Sequence, residues 1–459
     1  MATDRHAVVW TRSGDAPMSM GTLLVTDTQS RFTYDQEFIE SGLPGLGVLF
    51  QPTDFGRTTI AWERSTYFDM HPQFQTLVPP VSEENFQRRL ILAYLEKKGI
   101  QYKKGFDADW KIMMMAGHGA IGHVDVFEND ERAMEWYQDT NKTELFTIKD
   151  DFGFSLKDFL TWMDDDAGPL LAALGPTPSV GGAIPKLLLS IPDSGWDGRV
   201  ALPRRGNIPG RTDVILKIEK DAYSGIVELE ALALDIHNEA GFEVPRYWCT
   251  EVNGLNVIAI ERYDRSAEGK PLFTESVYSV MASGSKAVTN HYSIPYDAIG
   301  NALLPTGISP FVADPKKERL HLLKRLLYAF ATGNGDMHLE NLGFVQNADG
   351  EISFSPVYDP TPMRAYSRHD ELTPPEMTFG GYGDFDKNNE IVNFQQAVHA
   401  FARTLDIKKY QLSGLLEEVL QHTKSYPDRI DALVTLPMKN KQHLIHVVTK
   451  VRAELVRIV

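Results

Sequence analysis

The chain has 459 residues, 42% of them hydrophobic and 24% charged, and a formal net charge of -16. That length supports two or three domains with a sizeable core. The acidity opposes nonspecific binding to nucleic-acid phosphate, and no window reaches the roughly 18 consecutive apolar residues of a membrane helix. The opening residues Met1-Ala-Thr-Asp-Arg-His6 lack the basic-then-apolar pattern of a signal peptide, and the single cysteine, Cys249, has no partner for an internal disulfide. A cytoplasmic protein is expected.

The first 60 residues are rich in strand and turn signals. Ala7–Trp10, Gly21–Val25 and Arg31–Tyr34 are short β-branched or aromatic runs, followed by a short helix over Asp35–Ser41. Glu83–Lys98 has helical apolar spacing at Phe86, Leu90, Leu92, Ala93 and Leu95, with Ser82 as its candidate cap. Met113, Met114 and Met115 precede a Gly-rich turn, Gly117–Gly122, and a strand over His123–Phe127. Glu128–Lys149 is polar and expected to be exposed. A Pro/Gly loop over Gly175–Lys186 leads to strands over Leu187–Ile191 and Asp213–Ile218, with a loop at Trp196–Gly210 between them. Val227–Ala240 reads as an amphipathic helix ended by Gly241. Asn256–Ile260 is a strand that leads into Glu261-Arg-Tyr-Asp-Arg265. From Glu318 onward the chain reads mostly helical, apart from a loop at Leu372–Asn389 and one motif-bearing segment.

That segment carries the chemistry. A helix over Glu318–Gly333 ends at Gly333-Asn-Gly335, and Asp336-Met-His-Leu-Glu-Asn341 follows. Asp336 and Asn341 have the five-residue interval that separates the base Asp and the metal-binding Asn of a protein-kinase catalytic loop. Asp336 is assigned to orient an attacking hydroxyl and take its proton, Asn341 to offer a carbonyl oxygen to Mg2+, and His338 to brace the loop. Two short strands, Leu342–Val345 and Ile352–Phe354, flank a turn at Asn347–Gly350 and bring the chain to Asp359, the second metal ligand. The ligands are hard oxygens, which suits magnesium. This set predicts an ATP-dependent phosphotransferase.

Upstream residues complete the set. Lys217 lies on a strand and is a candidate for the α- and β-phosphates, with Glu230, preferred over Glu228, as its helix carboxylate. In the loop Ser179–Lys186, Gly181 and Gly182 can present backbone N–H groups to phosphate and Lys186 can add a charge. Glu261 and Tyr263 stand where a strand leaves towards a second lobe, a place for adenine.

In this order the motifs resemble the HipA family of bacterial toxin–antitoxin serine/threonine protein kinases, over most of the chain. Phe32-Thr-Tyr34 with Leu43-Pro-Gly-Leu46 resembles that family's first subdomain. Met113–Gly122 is similar to its glycine-rich segment, Ser179–Lys186 to its phosphate-binding loop with a serine that is autophosphorylated, Ile215–Ile218 to its lysine strand, Glu261–Arg265 to its hinge, and Asp336–Asn341 with Tyr358-Asp359 to its catalytic and metal motifs. Ile184 stands where that loop usually has a glutamine, and the polar stretch Glu128–Gly168 is longer than the family's pattern. The resemblance implies an α+β, two-lobed protein-kinase-like fold with a strand-rich N-terminal subdomain and a mainly helical C-terminal lobe. It divides the chain into an N-terminal subdomain over 1–127, a polar connecting segment over 128–168, a kinase N-lobe over 169–265 and a helical C-lobe over 266–459. It also implies ATP and Mg2+ as cofactors, autophosphorylation at Ser179, a HipB-like helix-turn-helix antitoxin as partner, operator DNA bound only through that antitoxin, and a translation-related protein such as an aminoacyl-tRNA synthetase as substrate. The segment Gly335-Asp-Met-His-Leu-Glu-Asn341 is also similar to that of aminoglycoside-type phosphotransferases, which act on small molecules. A non-catalytic scaffold for a DNA-binding partner is the third alternative.

Overall fold

The short β-branched and aromatic runs at the start of the chain become strands. The computed structural model describes residues 4–52, 58–82, 85–139, 145–147, 184, 186–205, 208–252, 254–347 and 349–459. The chain divides into two units, Met1–Ile218 with Arg246–Glu275, and Glu219–Pro245 with Ser276–Val459.

The first unit holds two antiparallel sheets. Five strands lie in the order Thr59–Glu63, Gln29–Tyr34, Met18–Val25, Arg5–Thr11 and Asp125–Phe127. Gly21 pairs opposite Tyr34 with φ +149°, where an added Cβ would sit 2.0 Å from the Thr33 carbonyl oxygen, so only glycine fits. Val9, Leu23, Val25 and Phe32 are buried on one face, and the Phe32 ring packs edge-on against Tyr34 and Phe74 at 4.7 and 5.7 Å. The strand Thr59–Glu63 carried no signal strong enough to be expected, since its residues alternate between exposed and half-buried.

The helix expected over Glu83–Lys98 runs from Phe86 to Lys97, and its cap is Asn85 rather than Ser82. The Asn85 side chain accepts from the Arg88 amide at 2.9 Å, while the Ser82 carbonyl accepts from the Asn85 amide in the preceding turn. Helix Phe106–Ala116 carries the three methionines, and a buried Arg88–Asp109 ion pair at 2.5 Å ties it to the previous helix. The stretch expected to be exposed from Glu128 begins instead with a helix, Asp130–Gln138. Its Ala133 and Tyr137 are buried against Phe127, and the Tyr137 hydroxyl donates to Asp125 Oδ2 at 2.6 Å. The half-buried Trp136 ring joins them, 5.8 Å from Phe127 and 5.4 Å from His118, so one apolar face docks the helix.

The second sheet of this unit has the order Tyr247–Val252, Leu255–Glu261, Arg211–Ile218 and Lys186–Pro192, all antiparallel. Every residue of the last two strands is buried, so they read as continuous apolar runs with a few polar interruptions. The region expected as a loop at Trp196–Gly210 also contributes a short strand, Arg199–Val200.

The second unit is mainly helical. Its central helix, Pro315–Thr332, begins three residues before the expected start, because Asp314 caps it by accepting from the Lys316 and Lys317 amides and Pro315 takes the first helical position. Leu322, Leu323, Leu326 and Leu327 are buried, each contributing roughly 1.5–3 kcal/mol of transfer free energy. Helices Phe394–Thr404, Lys409–His422 and Met438–Val456 belong to the same unit. Phe330 packs on Phe379 and Phe394, and the Tyr328 hydroxyl bonds His422 Nδ1 at 2.7 Å. No helix among the described residues is long and apolar enough to cross a membrane.

Candidate active site

The central helix delivers the chain to a tightly bonded loop. Gly333 closes the helix in the left-handed conformation, φ +81°, and the Asn334 amide donates back to the Ala329 carbonyl at 2.8 Å. At Gly335 an added Cβ would lie 2.4 Å from the Glu371 carbonyl oxygen, so the break needs glycine for space as well as for turning. Asn334 Oδ1 then accepts from the Asp336 amide at 2.9 Å.

From Asp336 to Asn341 the loop bonds to itself. The His338 amide and Asn341 Nδ2 both donate to the Asp336 carbonyl, at 2.9 and 2.7 Å. The Asn341 amide donates to the His338 carbonyl, and the Glu340 amide to His338 Nδ1 at 3.2 Å. Met337, His338 and Leu339 are all buried, so the middle of the loop is rooted in the core while Asp336 stays half-exposed. Neighbouring segments hold the backbone too. The Tyr296 hydroxyl donates to the Met337 carbonyl at 2.5 Å, the Tyr358 hydroxyl to the Glu340 carbonyl at 2.7 Å, and the Leu339 amide to the His291 carbonyl at 3.1 Å. His338 is fully buried, with its ring 4.6 Å from that of His291, and acts on the loop as a brace. Burial pushes the His291 imidazole down to about 4. Burial, and then the nearby Asp336 charge, pushes the Tyr292 and Tyr296 phenols up.

The amide of Asn341 is oriented by the bond from Nδ2. Its Oδ1 is buried and has no hydrogen-bond partner among the described residues. A buried carbonyl oxygen left without a donor costs about 1–3 kcal/mol, a cost a cation would remove. Asp359 lies at the end of the hairpin formed by Gly343–Gln346 and Ile352–Phe354. It is one of few non-glycine residues with positive φ, +55°, a backbone strain of the kind that collects at functional sites. Its neighbour Tyr358 is bonded to Glu340, the neighbour of Asn341. The two expected metal ligands therefore adjoin residues joined by one hydrogen bond. Carboxylate and amide oxygens make up the hard donor set that Mg2+ takes.

In the first unit Lys186 and Lys217 are direct cross-strand partners, so both side chains rise from the same face of the sheet, and both are buried. Like charges placed opposite each other are unfavourable in a bare sheet and favourable beside phosphate. Glu261 ends its strand with its carboxylate clamped by Arg246 at 2.7 and 2.8 Å. Tyr263 is half-buried, between residues of a buried cluster. In that cluster Asp264 Oδ2 accepts from Arg262, Arg265 and the Gly122 amide, while Arg262 and Arg265 donate to the Ala120 and Gly122 carbonyls. Burial opposes ionisation of Asp264, yet the two arginines hold its carboxyl down at about 2. The glycine-rich turn Gly117–Gly122 is thus clasped by Arg262, Asp264 and Arg265.

Lys186, Lys217, Glu261 and Tyr263 therefore lie in the first unit, and Glu230, Asp336, His338, Asn341 and Asp359 in the second. Within each unit, the structure brings Lys186 to Lys217 and Asp336 to His338 and Asn341. Glu230 is buried in the helix Ile226–Glu239. Glu228 accepts from the Thr435 amide and hydroxyl, at 2.6 and 2.7 Å, which commits it to a structural bond. Ser179, Gly181 and Gly182 lie outside the described residues, as does most of 128–168 beyond the helix. Tyr296 and His291, which hold the loop, had no local signal in the sequence, whereas Tyr358 was marked only as the neighbour of Asp359.

The family model of the HipA-like C-terminal domain matches residues 178–426. A protein of Haemophilus influenzae named "Putative kinase" is 26% identical over 190 residues, 39% of this chain and 51% of that protein. "Putative kinase Y4dM" of Sinorhizobium fredii is 27% identical over 159 residues, 32% of this chain and 36% of that protein. The chain spans about half the length of the first of these relatives and about a third of the second. The HipA toxin of Shewanella oneidensis, solved with HipB and its operator DNA, aligns with a TM-score of 0.61 at 17% identity, covering 98% of this chain and 97% of that one. The α+β kinase-like fold expected from the motif order is the fold the chain adopts.

Proposed function

The chain belongs to the family of the HipA-like C-terminal domain, a kinase family, and from that premise we propose that it is an ATP- and Mg2+-dependent serine/threonine protein kinase. Asp336 orients the acceptor hydroxyl and takes its proton as the oxygen bonds to the γ-phosphorus and the bond to the leaving ADP oxygen breaks. Asn341 Oδ1 and the Asp359 carboxylate would hold Mg2+, which when bound would neutralise charge on the phosphate oxygens. His338, Tyr296 and Tyr358 keep the loop in place. Lys217, with Lys186 beside it, binds the phosphates, and Glu230 is the carboxylate assigned to that lysine. Gly181 and Gly182 cover the phosphates, and the backbone at Glu261 and Tyr263 receives adenine. Autophosphorylation at Ser179 would place about -1.5 to -2 charge in a loop built for ATP phosphates and so inhibit the enzyme.

The observation that carries this reading is the buried Asn341 Oδ1, left without a donor among the described residues while Nδ2 of the same amide is held by the Asp336 carbonyl. The protein is proposed to act in the cytoplasm on a translation-related protein, such as an aminoacyl-tRNA synthetase. It is proposed to pair with a HipB-like antitoxin, through which it would meet operator DNA. The segments 1–127, 128–168, 169–265 and 266–459 are proposed as its functional divisions. Transfer of labelled phosphate from ATP to protein should be lost in Asp336→Ala and in Asp359→Ala. Retained transfer in both variants would overturn the assignment, and labelling of a small molecule in place of protein would reassign the acceptor.

A further inference from the structure

Two side chains of the catalytic loop and one from a distant segment form a second set of possible ligands, to which the reading above gives no metal. His291, His338 and Glu340 each offer a ligand atom, and these atoms lie within 4.8 Å of one another. His291 Nδ1 is 3.6 Å from Glu340 Oε2. The arrangement joins two segments 45 or more positions apart, and it is held by backbone: the Leu339 amide donates to the His291 carbonyl at 3.1 Å, which sets His291 across from both neighbours of Leu339. The Tyr292 ring lies 4.1 Å from that of His291 and 5.3 Å from that of His338. His338 is fully buried, whereas His291 and Glu340 keep 19% and 15% of their side-chain surface, enough for an ion to enter.

Two imidazoles and one carboxylate are the ligand set of an open three-ligand zinc site, and imidazole nitrogen is a poor ligand for Mg2+. Bonds of about 2.0–2.2 Å to a tetrahedral Zn2+ put ligand atoms about 3.3 Å apart. The 3.6 Å pair is close to that spacing, and side-chain movement of up to about 1.5 Å closes the rest. We propose that His291, His338 and Glu340 form a binding site for a first-row transition metal ion, Zn2+ above all, whose occupancy loosens the catalytic loop.

The loosening follows from the imidazole of His338. Its Nδ1 accepts from the Glu340 amide. An ion bound at Nδ1 takes the lone pair that this bond uses. An ion bound at Nε2 sends the ring proton to Nδ1, where it faces the Glu340 N–H. Either way the brace and the bound ion exclude each other. Glu340 is also drawn towards the ion, while its carbonyl remains the acceptor of Tyr358 and its successor is Asn341.

The site itself is independent of the kinase reading, and its effect on phosphotransfer rests on that reading, so the two are tested separately. Co2+ added to the full chain should give the visible absorption of a low-coordinate cobalt site at one equivalent, and Zn2+ should displace it. His291→Ala and Glu340→Gln should each abolish the band. No band in the parent protein, or the same band in both variants, would overturn the site. In the presence of excess Mg2+ and ATP, one equivalent of Zn2+ should lower phosphate transfer at least tenfold in the parent, and His291→Ala should resist it. A band with transfer unaffected by Zn2+ would overturn the effect on the loop. A band in a protein that transfers no phosphate at all would overturn the kinase reading and leave the site standing.

Discussion

Asn341→Ala separates what the site residue does for the fold from what it does for the reaction. In the free protein the substitution removes one hydrogen bond, from Nδ2 to the Asp336 carbonyl at 2.7 Å, which costs about 0.5–1.5 kcal/mol. It also removes the buried Oδ1 that has no donor among the described residues, which returns about 1–3 kcal/mol of desolvation penalty. The two effects nearly cancel, with a small cavity cost against the variant. Urea unfolding without nucleotide should therefore give a stability within about 1 kcal/mol of the parent, of either sign. Phosphate transfer should fall at least 100-fold, the usual effect of deleting one group that stabilises charge in a transition state. Mg2+ and ATP should raise the thermal midpoint of the parent and raise that of the variant much less. A destabilisation of more than about 3 kcal/mol would mean that Oδ1 is bonded in solution and that Asn341 is structural. Unchanged transfer would refute its role as a ligand.

Other outcomes follow from the same bonds. Tyr358→Phe deletes the donor to the Glu340 carbonyl, so it should cost about 1 kcal/mol of stability and lower kcat several-fold while KM for ATP stays near the parent value. Lys217→Met should raise KM for ATP about tenfold to a hundredfold, the worth of a hydrogen bond to a charged group, and an unchanged KM would remove Lys217 from the phosphate site. Ser179→Ala should stay active under autophosphorylating conditions that silence the parent, and equal decay of both would refute the switch. Stability should fall with pH in two windows. Burial holds His71, His118 and His123 at about 4, below their ordinary 6.5, so they gain protons on unfolding and stability declines as pH falls from about 6.5 to 4. Asp264, held at about 2 against an ordinary 3.8, contributes stability above about pH 4 that is lost as pH falls towards 2. A denaturation midpoint that is flat between pH 7 and 5 would contradict the first window.

The parts of the site that could be read from the sequence are those made within a few residues. Gly333 terminates its helix by its own backbone freedom, Asn341 bonds back to the carbonyl of Asp336 five positions earlier, and the Asn347–Gly350 turn closes its hairpin with bonds that stay inside it. Turn and cap chemistry of this kind depends on short windows, so residue identity and spacing determine it. The cap at Asn85 was misplaced by three positions because Ser82 offers the same chemistry, and only the direction of the incoming chain chooses between them.

What joins distant segments was decided in three dimensions. The bond from Tyr296 to Met337 spans 41 positions, and those from Arg262 to Ala120 and from Gly122 to Asp264 span 142. The pairing of Lys186 with Lys217 depends on strand register, which a slip of one residue would turn to the opposite face. By itself the sequence determined the helix end and the turns around Gly333–Asn341, because their bonds close within a few residues. The tertiary structure decided which tyrosines hold the loop and that Glu228 is bonded to Thr435. It also set His291 beside His338 and Glu340. Those are outcomes of packing and backbone pairing between segments that no local pattern links.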